Sequence, residues 1–343
     1  MRVVRDGGTH RLEGSGAEIA LANRFLEQLS TRAFSAATVR TYAFHVLSFL
    51  RFCSENDLSI ASVRPTDFYE FLDWLGHRRR PTDTIIPLRR PSAAAATMNQ
   101  RIAAVRALFD YAVLAGVREE NPVPSARRSS GLRAKRRGLL GHISPGRART
   151  GGRLVREPRR LPEALDPDEI AAFVGDLNTH RDRAMALAML FGGLRAGEVR
   201  SLLLVDVDQG LRRLRVVGKG DKERVVPVDR AFFSELVAYL RLERPPGCST
   251  PQCFVVLRGP TRGQPLTEAG MRRIFRTHRA RSGATRVRPH RLRHTYGTEL
   301  ATAGIDLLVL RELMGHASPE TTARYVHLSP ETLAHEYEKA RTR

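Results

Sequence analysis

PHRLRHTYGTELATAGIDLLVLRELMGHASPETTARYVH, residues 289–327, gathers imidazoles, a guanidinium and a phenol in one run of helical spacing. His290 and Arg293 are three apart just after Pro289, so the spacing predicts that they share one face at the start of an amphipathic helix. A second helix is expected over Asp306–Met314, with Leu307, Leu308, Leu310 and Leu313 as its apolar stripe. Gly315 stops it and sets His316 just past its C-terminus. Ser318 then reads as an N-cap with Pro319 at the first helical position, opening a short helix that carries Tyr325, nine residues after His316.

Upstream the same periodicity continues. Helices are expected at Asp168–Leu177, Arg181–Phe191, Arg230–Glu243 and Thr267–Ser282. The near-continuous apolar run of the second suits a helix enclosed on all sides. Gly192-Gly193 breaks that helix and leaves Arg195 at the entry of the next, which also carries Glu198. Leu211–Val217 and Arg224–Val228 read as two strands joined by GKGDKE, a hairpin with Lys219 at its turn, and Phe254–Leu257 as a further short strand. Residues 161–343 are therefore expected to be mainly α with a small antiparallel sheet.

The first half reads as all-helical, with stripes over Ala17–Leu29, Thr38–Phe52, Thr66–His77 and Thr97–Ala115. Residues 16–126 are taken as this helical domain, and residues 1–15, rich in Gly and Arg, as a flexible arm. Residues 127–160 hold twelve Arg and Lys against one acid, Glu157, which marks a basic inter-domain linker that follows a phosphate backbone or only solvates the chain.

Charge and composition narrow the class. A formal net charge of +21 over 343 residues points to a polyanion, and nucleic acid is the expected partner. Three cysteines, Cys53, Cys248 and Cys253, give neither a disulfide framework nor zinc-ligand spacing, and Cys53 sits on an apolar helical face. With no signal peptide and no membrane-length apolar run, a cytoplasmic location is expected.

The clustered groups suit phosphoryl transfer. Such a reaction needs fixed positive charge around the non-bridging oxygens and proton handling at the two apical ones. No acidic cluster has a metal-ligand layout, so the planar forks of Arg195 and Arg293 are the expected charge source, with no metal or other cofactor. Tyr325 offers a phenolate nucleophile, and a hairpin lysine offers a proton to the leaving oxygen; spacing leaves Lys219 and Lys222 both open. Taken singly, each group has a plainer explanation. Arg195 fits a surface helix start, His316 a helix cap, Tyr325 a core aromatic, and His290 with His294 lacks the glutamate of a zinc helix.

In order and spacing, GLRAGEV, GKGDKERVVPV, PHRLRHTYGT, LMGHAS and TTARYVH together resemble the tyrosine recombinases of the phage integrase family, from about Leu161 onward. The N-terminal half resembles that family's helical (SAM-like) core-binding domain by layout. The resemblance implies that Arg195 and Arg293 grip the scissile phosphate, Lys219 is the general acid and Tyr325 the nucleophile of a 3′-phosphotyrosyl link. It further implies that His290 handles protons and His316 supports the phosphate. Double-stranded DNA as substrate, a homo-tetramer on paired sites, accessory DNA-bending proteins, and no ATP follow from it as expectations. Ala196-Gly197 and the long basic linker depart from the family pattern. A terminal helix, Glu331–Arg341, presents Leu333, Ala334 and Tyr337 for docking on a neighbouring subunit or on its own domain. Two other functions remain compatible: a type IB topoisomerase, and a DNA-binding relative without chemistry.

Overall fold

A computed structural model describes residues 1–77, 95–124, 154–155, 164–218 and 222–315. Lys219, His316, Tyr325, the terminal helix and nearly all of the 127–160 stretch lie outside the described residues. The chain divides into two compact units, Met1–Arg159 and Arg160–Arg343.

In the first unit, apolar residues at helical spacing fold as α1 (Ala17–Thr31), α2 (Ala36–Glu55), α3 (Asp67–His77) and α4 (Ala95–Leu114). The Ser35 side chain caps α2 by accepting from the Thr38 N–H. The four helices close on an aromatic centre. The Phe49 ring stacks on Phe68 at 5.6 Å and meets Phe71 and Phe109 edge-on at 5.2 and 5.7 Å. Cys53 is buried in the same core, where burial pushes its thiol up to about 12 and leaves it inert.

Residues 1–15 depart from the expected loose arm. β1 (Arg2–Asp6) and β2 (Thr9–Glu13) pair antiparallel about Gly7-Gly8, both at positive φ, a two-residue hairpin turn that glycine adopts without strain. Leu12 is buried, and the Asn23 carboxamide on α1 accepts from its N–H at 2.8 Å and donates to its carbonyl at 2.9 Å. Five-residue strands are too short to declare a period; tertiary bonds to α1 and α2 hold this hairpin.

The second unit contains α5 (Pro167–Asp176), α6 (His180–Phe191), α7 (Ala196–Ser201), β3 (Val207–Asp208), β4 (Arg213–Val217), β5 (Glu223–Pro227), α8 (Arg230–Ala238), α9 (Glu268–Ser282), α10 (Pro289–Thr302) and α11 (Leu307–Met314). The three strands form one antiparallel sheet in the order β3-β4-β5. Inward residues Leu214, Val216 and Val226 alternate with outward ones, as a sheet wet on one face requires. The expected strand Phe254–Leu257 makes only an isolated bridge, Val255 to Pro265, while Val207–Asp208 adds a strand not anticipated. Helix α6 is enclosed, packing against α8 and α10. On α11 the buried residues are Leu310 and Met314, whereas Leu308 from the expected stripe faces out.

Candidate active site

The break between α6 and α7 builds the first half of the site. Gly193 has φ +61°, and a Cβ there would stand 2.4 Å from the Tyr296 ring of α10, so only glycine lets the two segments close. Arg195 follows as N-cap of α7. Its backbone N–H donates to Glu198 Oε2 at 2.7 Å, and its guanidinium donates to Glu198 Oε1 at 2.7 Å. The sequence spacing Arg195-x-x-Glu198 is thus a helix-start pair that holds a cation over its own helix.

Glu198 reaches further. Arg224 of β5 donates to both of its oxygens, at 3.0 and 2.8 Å, in a two-pronged pair with both side chains buried. The Arg293 guanidinium stands 3.8 Å from the same carboxylate. Burial by itself would raise the pKa of Glu198; hydrogen bonds from Arg224 and from the Arg195 backbone overcome it and bring the group down to about 2. One ionised carboxylate therefore neutralises part of a three-arginine cluster.

The same three arginines close the end of α11. Arg224 Nε donates to the Leu313 carbonyl at 2.9 Å, Arg293 donates to the Met314 carbonyl, and Arg195 donates to the Gly315 carbonyl at 2.8 Å. These are orphan acceptors at the negative end of a helix, where cations are favoured. Arg293 also donates to the Gly193 carbonyl, tying α10 to the glycine break. Gly315 adopts φ +58°, as the sequence predicts, and a Cβ there would crowd the Arg224 guanidinium at 2.9 Å.

Of the expected site residues, then, Arg195 and Arg293 are brought together, far apart as they are in sequence. Arg293 is buried, while the Arg195 side chain remains 40% exposed and so open to a ligand. His290 lies on the first turn of α10, exposed, with its ring 4.4 Å from that of His294. His290 and Arg293 stay three apart on the opening turns of α10, the first exposed and the second buried. Lys219, His316 and Tyr325 fall outside the described residues, although Gly218 and Lys222 close the stem of the Lys219 hairpin through a 2.8 Å backbone bond. A different phenol, Tyr296, stands inside the cluster. Burial raises its pKa, the wrong direction for a nucleophile, and its ring serves to pack on Gly193.

Two residues were not singled out as site residues from sequence: Glu198 and Arg224. A helix-start carboxylate and an arginine inside a strand are ordinary in sequence; only the local spacing from Arg195 to Glu198 hinted at a pair. Among the described residues, no group of three or more His, Cys, Asp or Glu converges in a way that could hold a metal ion, and no helix is long and apolar enough to cross a membrane.

Residues 163–332 match the model of the phage integrase family, and residues 22–116 match its N-terminal SAM-like domain. Over 330 residues the chain is 31% identical to a tyrosine recombinase XerC of Chromohalobacter salexigens, covering 94% of this chain and 96% of that one. The chain belongs to the phage integrase family. Its members include tyrosine recombinases, so the protein is an enzyme of site-specific recombination that cuts and rejoins DNA. It is also 25% identical over 329 residues to transposase A of transposon Tn554 from Staphylococcus aureus, covering 92% of this chain and 89% of that one. In fold it is similar to a XerH site-specific recombinase bound to palindromic difH substrate, with a TM-score of 0.63 and 19% identity over 97% of this chain and 90% of that one. The Tn1549 transposon integrase in complex with circular intermediate DNA gives the same TM-score at 16% identity, over 92% of this chain and 98% of that one. The integrase fold thus runs through both units, mainly helical with small antiparallel sheets.

Proposed function

We propose that this phage integrase family enzyme breaks and rejoins duplex DNA through a 3′-phosphotyrosyl intermediate, with Tyr325 as nucleophile and without metal or ATP. The observation that carries the proposal is the convergence of Arg195 and Arg293 on the carbonyls of Met314 and Gly315, directly before His316 in the chain. Two guanidiniums fixed beside that point are a charge source for the equatorial oxygens of a phosphoryl transition state. In the proposed step the Tyr325 oxygen forms a bond to phosphorus, the bond from phosphorus to the 5′ oxygen breaks, and Lys219 gives that oxygen its proton. His290 takes the proton that the Tyr325 phenol gives up as its oxygen bonds phosphorus, and His316 donates a hydrogen bond to the phosphate. Attack by a 5′ hydroxyl on the phosphotyrosyl bond reverses the step, so the bond energy is conserved. Four subunits on paired sites would exchange strands, and the likeness over nine-tenths of the chain to the Tn554 transposase favours a mobile-element substrate.

The test is a nicked suicide duplex carrying the element's own end sequence. Wild type is expected to accumulate a covalent protein–DNA adduct in the presence of chelator, Tyr325→Phe none, and Tyr296→Phe nearly as much as wild type. Absence of an adduct from wild type, or its survival in Tyr325→Phe, overturns the proposal. Plasmid relaxation without recombinant product would point instead to a topoisomerase.

A further inference from the structure

The hairpin β1–β2 lies before the first residue of either family match, at residue 22, so the family's shared domains do not account for it. Its placement is specific. The Met1 carbonyl accepts from Arg51 on the last turns of α2 at 2.8 Å, and Thr9 Oγ1 lies 3.2 Å from Ser30 Oγ at the end of α1, the helix that leads into the start of α2. β1 therefore runs along α2 toward its N-terminal half, where Arg40 stands.

Strand register then assigns the faces. Val3 pairs with Leu12 and Arg5 with His10, and these four share one side of the hairpin. That side is apolar where Leu12 is buried and carries the His10 ring and the Arg5 cation toward the Gly7-Gly8 turn. The remaining hairpin arginines face the other way and are neutralised locally, Arg2 by Glu13 and Arg11 by Asp6. Arg40 is exposed, with its guanidinium 5.5 Å from the centre of the half-exposed Phe44 ring, which orients it. Burial, followed by the charges of Arg40 and Arg5, holds His10 below its ordinary pKa, so both arginines act on the same ring. Like charges gathered at the tip of a packed hairpin oppose folding unless an anion joins them.

We propose that Arg5 of the hairpin and Arg40 of α2 form a second backbone contact of this enzyme with duplex DNA, holding phosphates outside the site of strand cleavage. The hairpin thereby lengthens the DNA footprint of the N-terminal unit. This inference rests on DNA being the substrate and not on the role of Tyr325, so it can fail while the phosphotyrosyl mechanism stands, and the reverse.

Phosphate contacts are independent of sequence, so any 40-base-pair duplex serves as probe, with the affinity of the full chain measured against salt concentration. Arg5→Ala and Arg40→Ala should each flatten the slope of log K against log salt by about 1, and the double variant by about 2, since each phosphate contact releases roughly 0.9 counterions. Arg5→Lys should restore the wild-type slope. Arg2→Ala and Arg11→Ala, which remove arginines already paired with acids, should leave it unchanged, and melting temperatures should verify that all variants fold. An unchanged slope in the double variant, or an equal change in Arg2→Ala, would overturn the proposal. So would a change confined to self-association without DNA, which would make the patch a contact with a second copy of the chain.

Discussion

Glu198 shows how one side chain can set the position of several others. It accepts from Arg195 and from both terminal nitrogens of Arg224, and lies within 3.8 Å of Arg293. Glu198→Gln keeps the shape and removes the charge, leaving three cations crowded and under-compensated. It should cost roughly 3 kcal/mol of stability, the scale for breaking a buried pair by removing one partner, measured by urea unfolding. Strand cleavage should fall by roughly 10²-fold, the scale of an ångström-sized displacement of a binding group, measured at saturating DNA. The pH dependence has a definite sign. With the folded pKa at about 2 against an ordinary 4.5, the carboxylate's contribution is fully present above about pH 4.5 and is lost as pH falls toward 2. Wild type should therefore lose stability over that window in acid denaturation, and Glu198→Gln should lose less. A wild-type acid transition as shallow as that of the variant would show that the carboxylate is not ionised in the folded state.

At the scale of elements, the site is a joint among three helix ends and one strand. The C-terminus of α11 is capped by arginines from α7's start, α10 and β5, and the α6–α7 break is sealed by α10. Two glycines separate backbone strain from steric fit. Gly116, just past α4, has φ +70° and nothing within 4 Å of a built Cβ, so Gly116→Ala should cost about 1 kcal/mol, the left-handed penalty alone. Gly193 has φ +61° and the Tyr296 ring in the way, so Gly193→Ala should cost roughly 3 kcal/mol or more, strain plus overpacking, and should reduce cleavage because the Gly193 carbonyl holds Arg293. Thermal melts of the two variants side by side test the comparison; equal losses would mean that Tyr296 yields freely. The helices themselves were legible in sequence to within a few residues because their apolar spacing is local. The hairpin β1–β2, the short β3 and the isolated bridges at Leu203 and Val255 were not, since pairing partners a strand needs lie elsewhere in the chain.

At the scale of the whole molecule, each unit carries its own apolar core. The first is centred on Phe49, and the larger core of the second includes α6 and the inner face of the sheet. Separate cores imply separately addressable stabilities. Phe49→Ala should destabilise the first unit by roughly 3–5 kcal/mol, the cost of emptying an aromatic site, while hydrogen exchange in α6 and α10 stays at wild-type rates. Parallel loss of protection in both units would show that they unfold as one body.

The sequence by itself determined the mainly helical class, the C-terminal end of α11 and, to within a few residues, the bounds of α2 and α4, the partner class through its charge of +21, and the order of motifs that fits the phage integrase family. These follow from local rules: apolar period, capping residues, glycine at a helix end and composition. Only the tertiary structure decided that Glu198 and Arg224 belong to the site, that Arg293 is buried while Arg195 is open, and that the first residues are a packed hairpin. Arg195 bonds a carbonyl 120 residues away and Arg224 one 89 away. A buried charge must be paired wherever the fold offers a partner, and no spacing rule reaches across that distance.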